Sequence, residues 1–500
     1  MKNSPLQLVP LDLARKYRVF PVSIQDNGLK ILCPPDTSRN LVNDLQFITG
    51  RWIQTETCDS STIHELMERN YGELSNPTST STDSASLTFK SFSKNDNSAE
   101  TQLRQEVEKT PIVKLVNKLI TNAINMGASD IHLEPSDRQF KVRYRLDGML
   151  KEMESIPQEK RLAVISRIKV MAEMDIAERR RPQDGRVRVE GENKIIDIRV
   201  STLPTDFGEK VVLRILDKTS LQLTLENLGF DQKSLDIFKE KIKLPYGMIL
   251  VTGPTGSGKT TSLYAGLNHI KNPSINIITI EEPIEYNLEG ISQCQVKPEI
   301  DFTFANALRT FLRQDPNVIM VGEIRDNETM EIAIRAALTG HLVLSTLHTN
   351  DAATSITRLL DMGAEPFLVS SSVTLVMAQR LVRRLCSKCK QECKPDEKLL
   401  QRLKMTQESI TFYEPTGCPY CNYTGYKGRT AVFEIMPISP EIAELVNQRA
   451  TANQISIQAQ KEGMITLRED AIRKLKQGIT SIEEILRETV EGAEQETQIM

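Results

Sequence analysis

Long hydrophobic runs are missing from this chain of 500 residues. Nowhere do about 18 apolar residues follow one another, so no membrane-crossing helix is expected. The opening MKNSPLQLVPLDLARKYRVFPV lacks the cationic-then-apolar layout of a secretory signal. An excess of one charge is missing too: 63 Lys and Arg stand against 66 Asp and Glu, a formal net charge of -3, and aromatics make up 5%. With neither a global basic surface nor a basic-aromatic stripe, nucleic acid is not expected as a partner. Cysteine is sparse and uneven. Of eight, five fall between Cys386 and Cys421, while Cys33, Cys58 and Cys294 are scattered. A disulfide framework would spread differently, so the clustered CxxC pairs point to metal and the chain is expected in the cytoplasm.

What is present centres on Met248 to Thr261, read MILVTGPTGSGKTT. An apolar run ends at Gly253, and a G-x-x-x-x-G-K-T spacing leads into a helix expected to begin near Lys259. Gly253, Gly256 and Gly258 permit backbone conformations that aim successive N–H groups at one small volume. The following helix adds its free amides and positive dipole end. The spacing predicts a phosphate-binding loop of Gly253, Pro254, Thr255, Gly256, Ser257, Gly258, Lys259, Thr260 and Thr261. Lys259 is expected to reach the β- and γ-phosphates, and the Thr260 hydroxyl to coordinate Mg²⁺.

The length allows roughly three or four domains. Residues 1–74 read as a small α+β domain without catalytic signature, with helical patterns near Leu11 to Tyr17, Leu41 to Thr49 and Thr62 to Tyr71 and an apolar stretch near Leu29 to Leu32. Docking is its expected role. Residues 75–102, rich in Ser, Thr, Asn and Asp, bury too little apolar surface to offset the entropy of ordering and read as a flexible linker. Residues 103–225 read as a second α+β domain. Thr110-Pro111 opens a helix with Ile112, Val116, Leu119, Ile120 and Ala123 on one face. Phe140 to Leu146 alternates apolar with Lys141, Arg143 and Arg145, and further strands are expected near Arg186 to Val189, Ile196 to Val200 and Val211 to Leu216. Arg199 and Arg214 flank the loop Ser201 to Lys210; by spacing alone they read as a solvated face.

From about 226 to 385 strands alternate with helices, the pattern of a parallel α/β core. Strands are expected at Met248 to Thr252, Asn276 to Ile280, Val318 to Val321 and Leu342 to Leu347, each ending in polar residues, where open parallel sheets place their ligands. The second runs into Glu281-Glu282-Pro283-Ile284-Glu285 and the third into Gly322-Glu323. Carboxylates just beyond buried strands suit a Mg²⁺ or water-polarising site. His341 and His348 frame the fourth strand and either contact a phosphate or are satisfied structural residues. Arg309 and Arg313 share one flank of a helix whose other side carries Phe304, Leu308, Phe311 and Leu312. They are phosphate ligands if that flank faces a nucleotide and surface charge otherwise. Cys386, Cys389, Cys418 and Cys421 form two CxxC knuckles within a module at 386–436, suited to tetrahedral zinc, with Cys393 leaving open which sulfurs bind. Residues 437–500 read as helices, Pro440 to Gln448, Ala452 to Glu462, Leu467 to Gln477 and Ser481 to Val490, with no visible chemistry and a frayed tail.

Together ASDIHLEP, GPTGSGKTT, TIEEPIEY, VGEIRD, TGHLVLSTLHTND, the paired knuckles and GMITLREDAIRKLKQGITSIEE resemble the secretion and pilus-assembly ATPases, specifically the cytoplasmic E-type ATPase of type II secretion. The resemblance implies a RecA-like P-loop core, a preceding PAS-like α+β domain, a small zinc module and a helical C-terminal region. It implies a homo-hexameric ring that hydrolyses ATP with Mg²⁺, attached to the inner membrane through partners. The first domain would dock on the cytoplasmic segment of an inner-membrane component, and an inner-membrane platform protein would be a further partner. It turns the reading of Arg199 and Arg214 toward γ-phosphate arginines, with Arg309 and Arg313 helping from the core. Glu285 would orient or deprotonate the attacking water, Glu323 would serve the Mg²⁺ side, and His341 and His348 match the histidine box. Where relatives often carry Glu-Asp-Pro, this chain has Glu281-Glu282-Pro283, so Glu282 is held out of the catalytic set. The first domain shows no R-L-G-type repeat of the kind some pilus relatives use for cyclic di-GMP. Type IV pilus assembly is the neighbouring function.

Overall fold

The structure, a computed structural model, describes residues 9, 14, 19–25, 28–34, 52–59, 62–63, 66, 88–90, 111–153, 155–191, 194–217, 224–403, 405 and 410–489. The chain divides into two units, Met1–Ser86 and Leu87–Met500. In the first, Phe20–Gln25 pairs antiparallel with Gly28–Cys33, which pairs parallel with Trp52–Thr57. Leu29, Ile31 and Cys33 alternate inward and pack with Val9, Val19 and Ile53, as period-two burial requires. The helical patterns expected in this unit lie outside the described residues apart from isolated positions. So do Thr110, the final tail and most of 75–102.

One piece of the expected linker is described: Thr88–Lys90 pairs with Arg188 to Glu190 and forms the edge of the second unit's first sheet. That sheet has seven strands in the order Thr88–Lys90, Gln183–Gly191, Lys194–Thr205, Gly208–Asp217, Asp130–Pro135, Phe140–Leu146 and Met149–Glu152, with antiparallel neighbours throughout. The helices Pro111–Asn125 and Arg161–Met171 contribute Val116, Ile120, Ile165 and Ile168 to its core, against Ile131, Leu133, Val142 and Ile198. The other sheet face therefore keeps Asp130, Glu134, Arg143, Arg145, Lys210 and Arg214 available for polar pairing.

The second sheet also has seven strands, in the order Ser292–Gln295, Ile277–Glu281, Val318–Val321, Leu342–Leu347, Gly247–Thr252, Val373–Leu385 and Tyr426–Pro437. All pairs are parallel except the last. Along the central strands Met248, Leu250, Ile319 and Val343 enter one core, and Ile249, Val251, Met320 and Leu344 enter another. Helices cover both faces, which is why these strands read as continuous apolar runs. The expected strands stand within a residue of the observed ones. Val373–Leu385 and Tyr426–Pro437 were not anticipated as strands, because Gln379, Arg380, Arg383 and Arg384 interrupt the apolar pattern of the first. The two knuckles thus lie between partners in one antiparallel ladder. The last four helices are Pro440–Asn447, Ala452–Lys461, Leu467–Lys476 and Ile482–Glu488. Among the described residues no helix is long and apolar enough to cross a membrane.

Candidate active site

Gly247–Thr252 is buried at all six positions and delivers the chain to a tight loop at the carboxyl edge of the sheet. Gly253, Gly256 and Gly258 take φ of 147°, 82° and 87°, a region costly for residues with a Cβ. The helix Lys259–Ile270 starts directly after. Lys259 is 8% exposed, and its Nζ donates to Gly253 O at 2.7 Å and Pro254 O at 3.2 Å. Burial pulls its ammonium down to about 8; Glu323 opposes that shift and Arg380 adds to it. Ser257 Oγ is buried and, among the described residues, finds no hydrogen-bond partner. Below the loop Thr252 Oγ1 lies 2.6 Å from Thr349 Oγ1 and accepts from Thr349 N at 2.9 Å, tying the ends of two neighbouring strands together.

The carboxylates lie along the same edge. Glu281 is 3% exposed and saturated: it accepts from the Tyr264 phenol, from Thr279 Oγ1 at 2.6 Å and from Gln293 Nε2 at 3.1 Å. Through Tyr264 it links the helix after the phosphate loop to the segment carrying Glu285, and Tyr264 and Tyr286 meet edge-on at 4.6 Å. Glu285 stays open to the cleft and pairs with Arg199, Nη1 to Oε2 3.3 Å, while Arg199 Nη2 donates to Ile284 O at 2.5 Å. Glu323 is shared by Arg325 and His348, whose Nε2 lies 3.0 Å away; Arg325 also reaches Glu282 at 3.1 Å.

The antiparallel domain supplies the opposite wall. Arg214 and Arg145 flank the buried Asp130, with Arg214 Nε at 3.0 Å and Arg145 Nε at 3.3 Å from its carboxylate. Together the walls bound a cavity of about 1360 Å³ that Thr260, Thr261, Glu285, Glu323, His348 and Arg214 all line. This exceeds the roughly 300–1,000 Å³ usual for small-molecule sites and identifies a cleft between two bodies of one unit. Outside the cavity, Lys151 Nζ donates to Asn422 O at 2.9 Å and Gly428 N donates to Asp147 Oδ2 at 3.0 Å. Each such bond is worth about 1 kcal/mol net, and a partly exposed ion pair such as Arg199–Glu285 about 0–1 kcal/mol. Each of these polar contacts is individually weak.

Three expected site residues are not brought here. His341 lies at the starting end of Leu342–Leu347, with Nδ1 3.0 Å from Ala336 O, whereas His348 follows the strand's other end. A six-residue strand spans roughly 20 Å, so only one of the two histidines can border the loop. Arg309 pairs with Glu328 at 2.5 Å, Arg313 donates to Arg309 O at 3.0 Å, and neither lines the cavity. The apolar stripe of their helix faces the core, which turns both arginines to solvent.

Sequence reasoning missed other contributors. Arg380, Arg383 and Arg429 come from the two unanticipated strands, and Arg487 and Glu488 from the C-terminal helices thought to carry no chemistry; all line the cleft. Glu484 is buried and accepts from Arg383 Nη2 at 2.8 Å and Arg487 Nη2 at 2.6 Å, which fastens the last helix to the cleft wall. Gln379 lies beneath the loop itself. The AQRLVRR charge pattern is the signal that could have marked Arg380 and Arg383.

The sulfurs of Cys386, Cys389, Cys418 and Cys421 lie within 4.8 Å of one another. Cys418 N and Gly425 N donate to Cys421 Sγ at 3.2 and 3.3 Å. Four convergent thiols with backbone donors to sulfur fit a tetrahedral soft-metal site. Cys393 is outside the group, in the short strand Gln391–Cys393.

Known proteins resemble this chain along most of its length. Residues 105–487 match the family described as type II/IV secretion system protein, and residues 2–76 match the MshEN domain. The type IV pilus assembly ATPase PilB of Myxococcus xanthus is 46% identical over 97% of this chain and 86% of its own length. The type II secretion system protein E of Pseudomonas aeruginosa is 41% identical over 98% of this chain and 97% of its own. Among solved structures, the pilus retraction motor PilT with bound ADP is 27% identical and covers 76% of this chain and 98% of that one, with a TM-score of 0.51. The Legionella pneumophila ATPase DotB, at 20% identity and a TM-score of 0.54 over 74% of this chain and 94% of that one, shares the fold. An α/β ATPase fold preceded by an MshEN domain, with 383 consecutive residues (105 to 487) matched, establishes that this chain belongs to the type II/IV secretion system protein family.

Proposed function

We propose that this chain hydrolyses ATP to drive type II protein secretion, powering pseudopilus assembly at the cytoplasmic face of the inner membrane. The observation that carries the reading is the shared cleft, lined by Lys259, Glu285 and Glu323 from the core and by Arg214 from the antiparallel domain, with Arg199 reaching Glu285 at 3.3 Å from outside that lining. The loop amides and Lys259 bind the β- and γ-phosphates. Glu285 orients the attacking water and takes its proton, while Arg199 and Arg214 neutralise charge developing on the γ-phosphoryl oxygens from the opposite wall. Thr260 and Glu323 are hard oxygen donors on the same cleft and suit Mg²⁺, which when bound neutralises phosphate charge and lowers the barrier to its transfer. His348 holds the Glu323 carboxylate. Arg309, Arg313 and His341 take no part. Because Arg199 and Arg214 prefer a site containing γ-phosphate, ATP favours closure of the antiparallel domain onto the core, and phosphate release favours opening.

Family membership supports a homo-hexameric ring, with the core read as RecA-like and the antiparallel domain, a sheet backed by two helices, as PAS-like. The MshEN domain docks on the cytoplasmic segment of an inner-membrane component, and a platform protein in that membrane receives the motion; nucleic acid is not a partner. The activity is tested by phosphate release from ATP by the full chain: Mg²⁺-dependent release is expected, and none under any Mg²⁺ concentration would sink the proposal. Type IV pilus assembly is the second reading, favoured by the 46% identity of the Myxococcus relative. In cells lacking the chain, loss of secreted proteins with pili intact supports the first reading, and the reverse supports the second.

Zinc held by four thiolates leaves no open coordination position, so its role here is structural. The purified chain is expected to carry about one zinc and the Cys386→Ser/Cys418→Ser variant close to none, with a Tm lower by roughly 5 °C or more. Metal analysis beside a melting curve checks this; equal zinc in both proteins would contradict it. The loop from Cys421 to Gly428 also carries the contacts to Lys151 and Asp147, so proteolysis between the domains should quicken in the variant.

A further inference from the structure

Gln379 is a polar residue in the middle of the strand Val373–Leu385, 2% exposed, with Val376, Met377 and Ala378 fully buried before it. An amide here costs a few kcal/mol unless its hydrogen bonds are met, and leucine or methionine would fill the space without that demand. Both ends of the amide are met, and both by the phosphate loop and its helix. Nε2 donates to Ser257 O at 2.8 Å, and Oε1 accepts from the buried Ser262 Oγ at 2.7 Å. The amide's orientation follows from this network, since only nitrogen can donate to the Ser257 carbonyl. Gln379 also sets the space around the outer glycines. A Cβ at Gly253 would stand 2.4 Å from Gln379 O, and one at Gly258 would stand 2.8 Å from Gln379 Nε2. The side chain and backbone of this one residue therefore touch the loop at its first glycine, at Ser257 and at its last glycine, and touch its helix one turn later at Ser262.

We propose that Gln379 is a positioning residue that presets the backbone of the phosphate loop for the β-phosphate. The proposal rests on the reading of this loop as a nucleotide phosphate site. Holding the Ser257 carbonyl on the strand side turns the N–H of the same trans peptide, that of Gly258, to the opposite side, and the left-handed turn at Gly258 is confined between the amide and the helix start. A loop so held pays less ordering entropy when a phosphate arrives. The strand gives the brace a rigid base, because Ala378 pairs with Thr252, the last residue before the loop.

The test uses the full chain, with ADP and ATP binding measured by calorimetry in Mg²⁺ and steady-state turnover alongside. Gln379→Leu keeps the volume and removes the amide. Dissociation constants for ADP and ATP are expected to rise together by about tenfold, the size of one lost hydrogen bond to a group left buried, while kcat at saturating ATP falls less than about threefold. Affinity within twofold of the unaltered chain together with a lower Tm would make Gln379 a packing residue and overturn the proposal. If Gln379→Leu does not fold, Ser262→Ala decides: it frees the amide's oxygen end and should weaken ADP binding about threefold, and unchanged affinity overturns the proposal. Failure of the unaltered chain to bind ADP at all is a separate outcome, which removes the phosphate-loop reading itself.

Discussion

Replacing Lys259 with Ala is expected to cut ATP turnover by about 10²–10³-fold or more while leaving the fold intact, because it removes one preset cationic donor from a site built to stabilise charge. Lys259 is placed for that work rather than for stability. Among the described residues its Nζ hydrogen bonds go to two carbonyls of its own loop, Gly253 O and Pro254 O. The Tm of the variant should therefore stay within a few degrees of the unaltered chain, and normal hydrolysis by it would remove the loop from the mechanism. A pH signature accompanies the loss. Burial holds the Lys259 ammonium near 8 in the ligand-free chain, and bound phosphate favours its charged form. Since the complex keeps the proton that the free chain loses as pH rises through about 8, nucleotide affinity is full below that pH and declines above it. Calorimetry from pH 7 to 9 should show weakening with proton uptake in the unaltered chain and a flatter profile in Lys259→Ala.

Replacing Glu285 with Gln should spare ATP binding and slow turnover by about 10²–10⁴-fold, the usual contribution of a positioned general base. The substitution keeps an oxygen for Arg199, whose pairing at 3.3 Å is partly exposed and weak, so the cleft should still assemble. Equilibrium binding of ATP beside single-turnover phosphate release checks this. Unchanged turnover would shift the base role away from Glu285, and Glu323 would be the next residue to replace. Glu281 is the wrong choice despite standing in the same acidic run. Three donors already occupy its carboxylate, and its replacement would loosen the strand end rather than remove a base.

The parts legible from sequence were those in which several residue types recur at one fixed spacing. Gly253 to Thr261 and the knuckles Cys386-Ser-Lys-Cys389 and Cys418-Pro-Tyr-Cys421 needed nothing beyond local chain geometry. The C-terminal helices were legible as helices, and the structure adds the capping boxes at Thr451 and Thr466 that start two of them. What escaped depended on direction and on distant neighbours. Periodicity told which side of Phe304–Phe311 is apolar but not where its other side points, and Arg309 and Arg313, offered as phosphate ligands, do not line the cavity. His341 and His348 look equivalent as text, yet a strand separates them and one lies on the wrong edge of the sheet. Arg145, Asp130 and Arg214 come together because three antiparallel strands set their register. Gln379 carries no motif at all, since its role depends on a parallel neighbour far away in sequence.

The central claim is that ATP draws the antiparallel domain and the core together around the cleft and that its loss lets them part. The Glu285→Gln variant offers the cleanest view, because it should hold ATP without consuming it. Spin labels at Leu203 and Ile300, exposed on the antiparallel domain and on the core, report the separation when labelled chains are diluted with unlabelled ones. The account predicts a shorter and narrower distance distribution with Mg²⁺ and ATP than with Mg²⁺ and ADP. Identical distributions in the two nucleotides, with both bound, would contradict it.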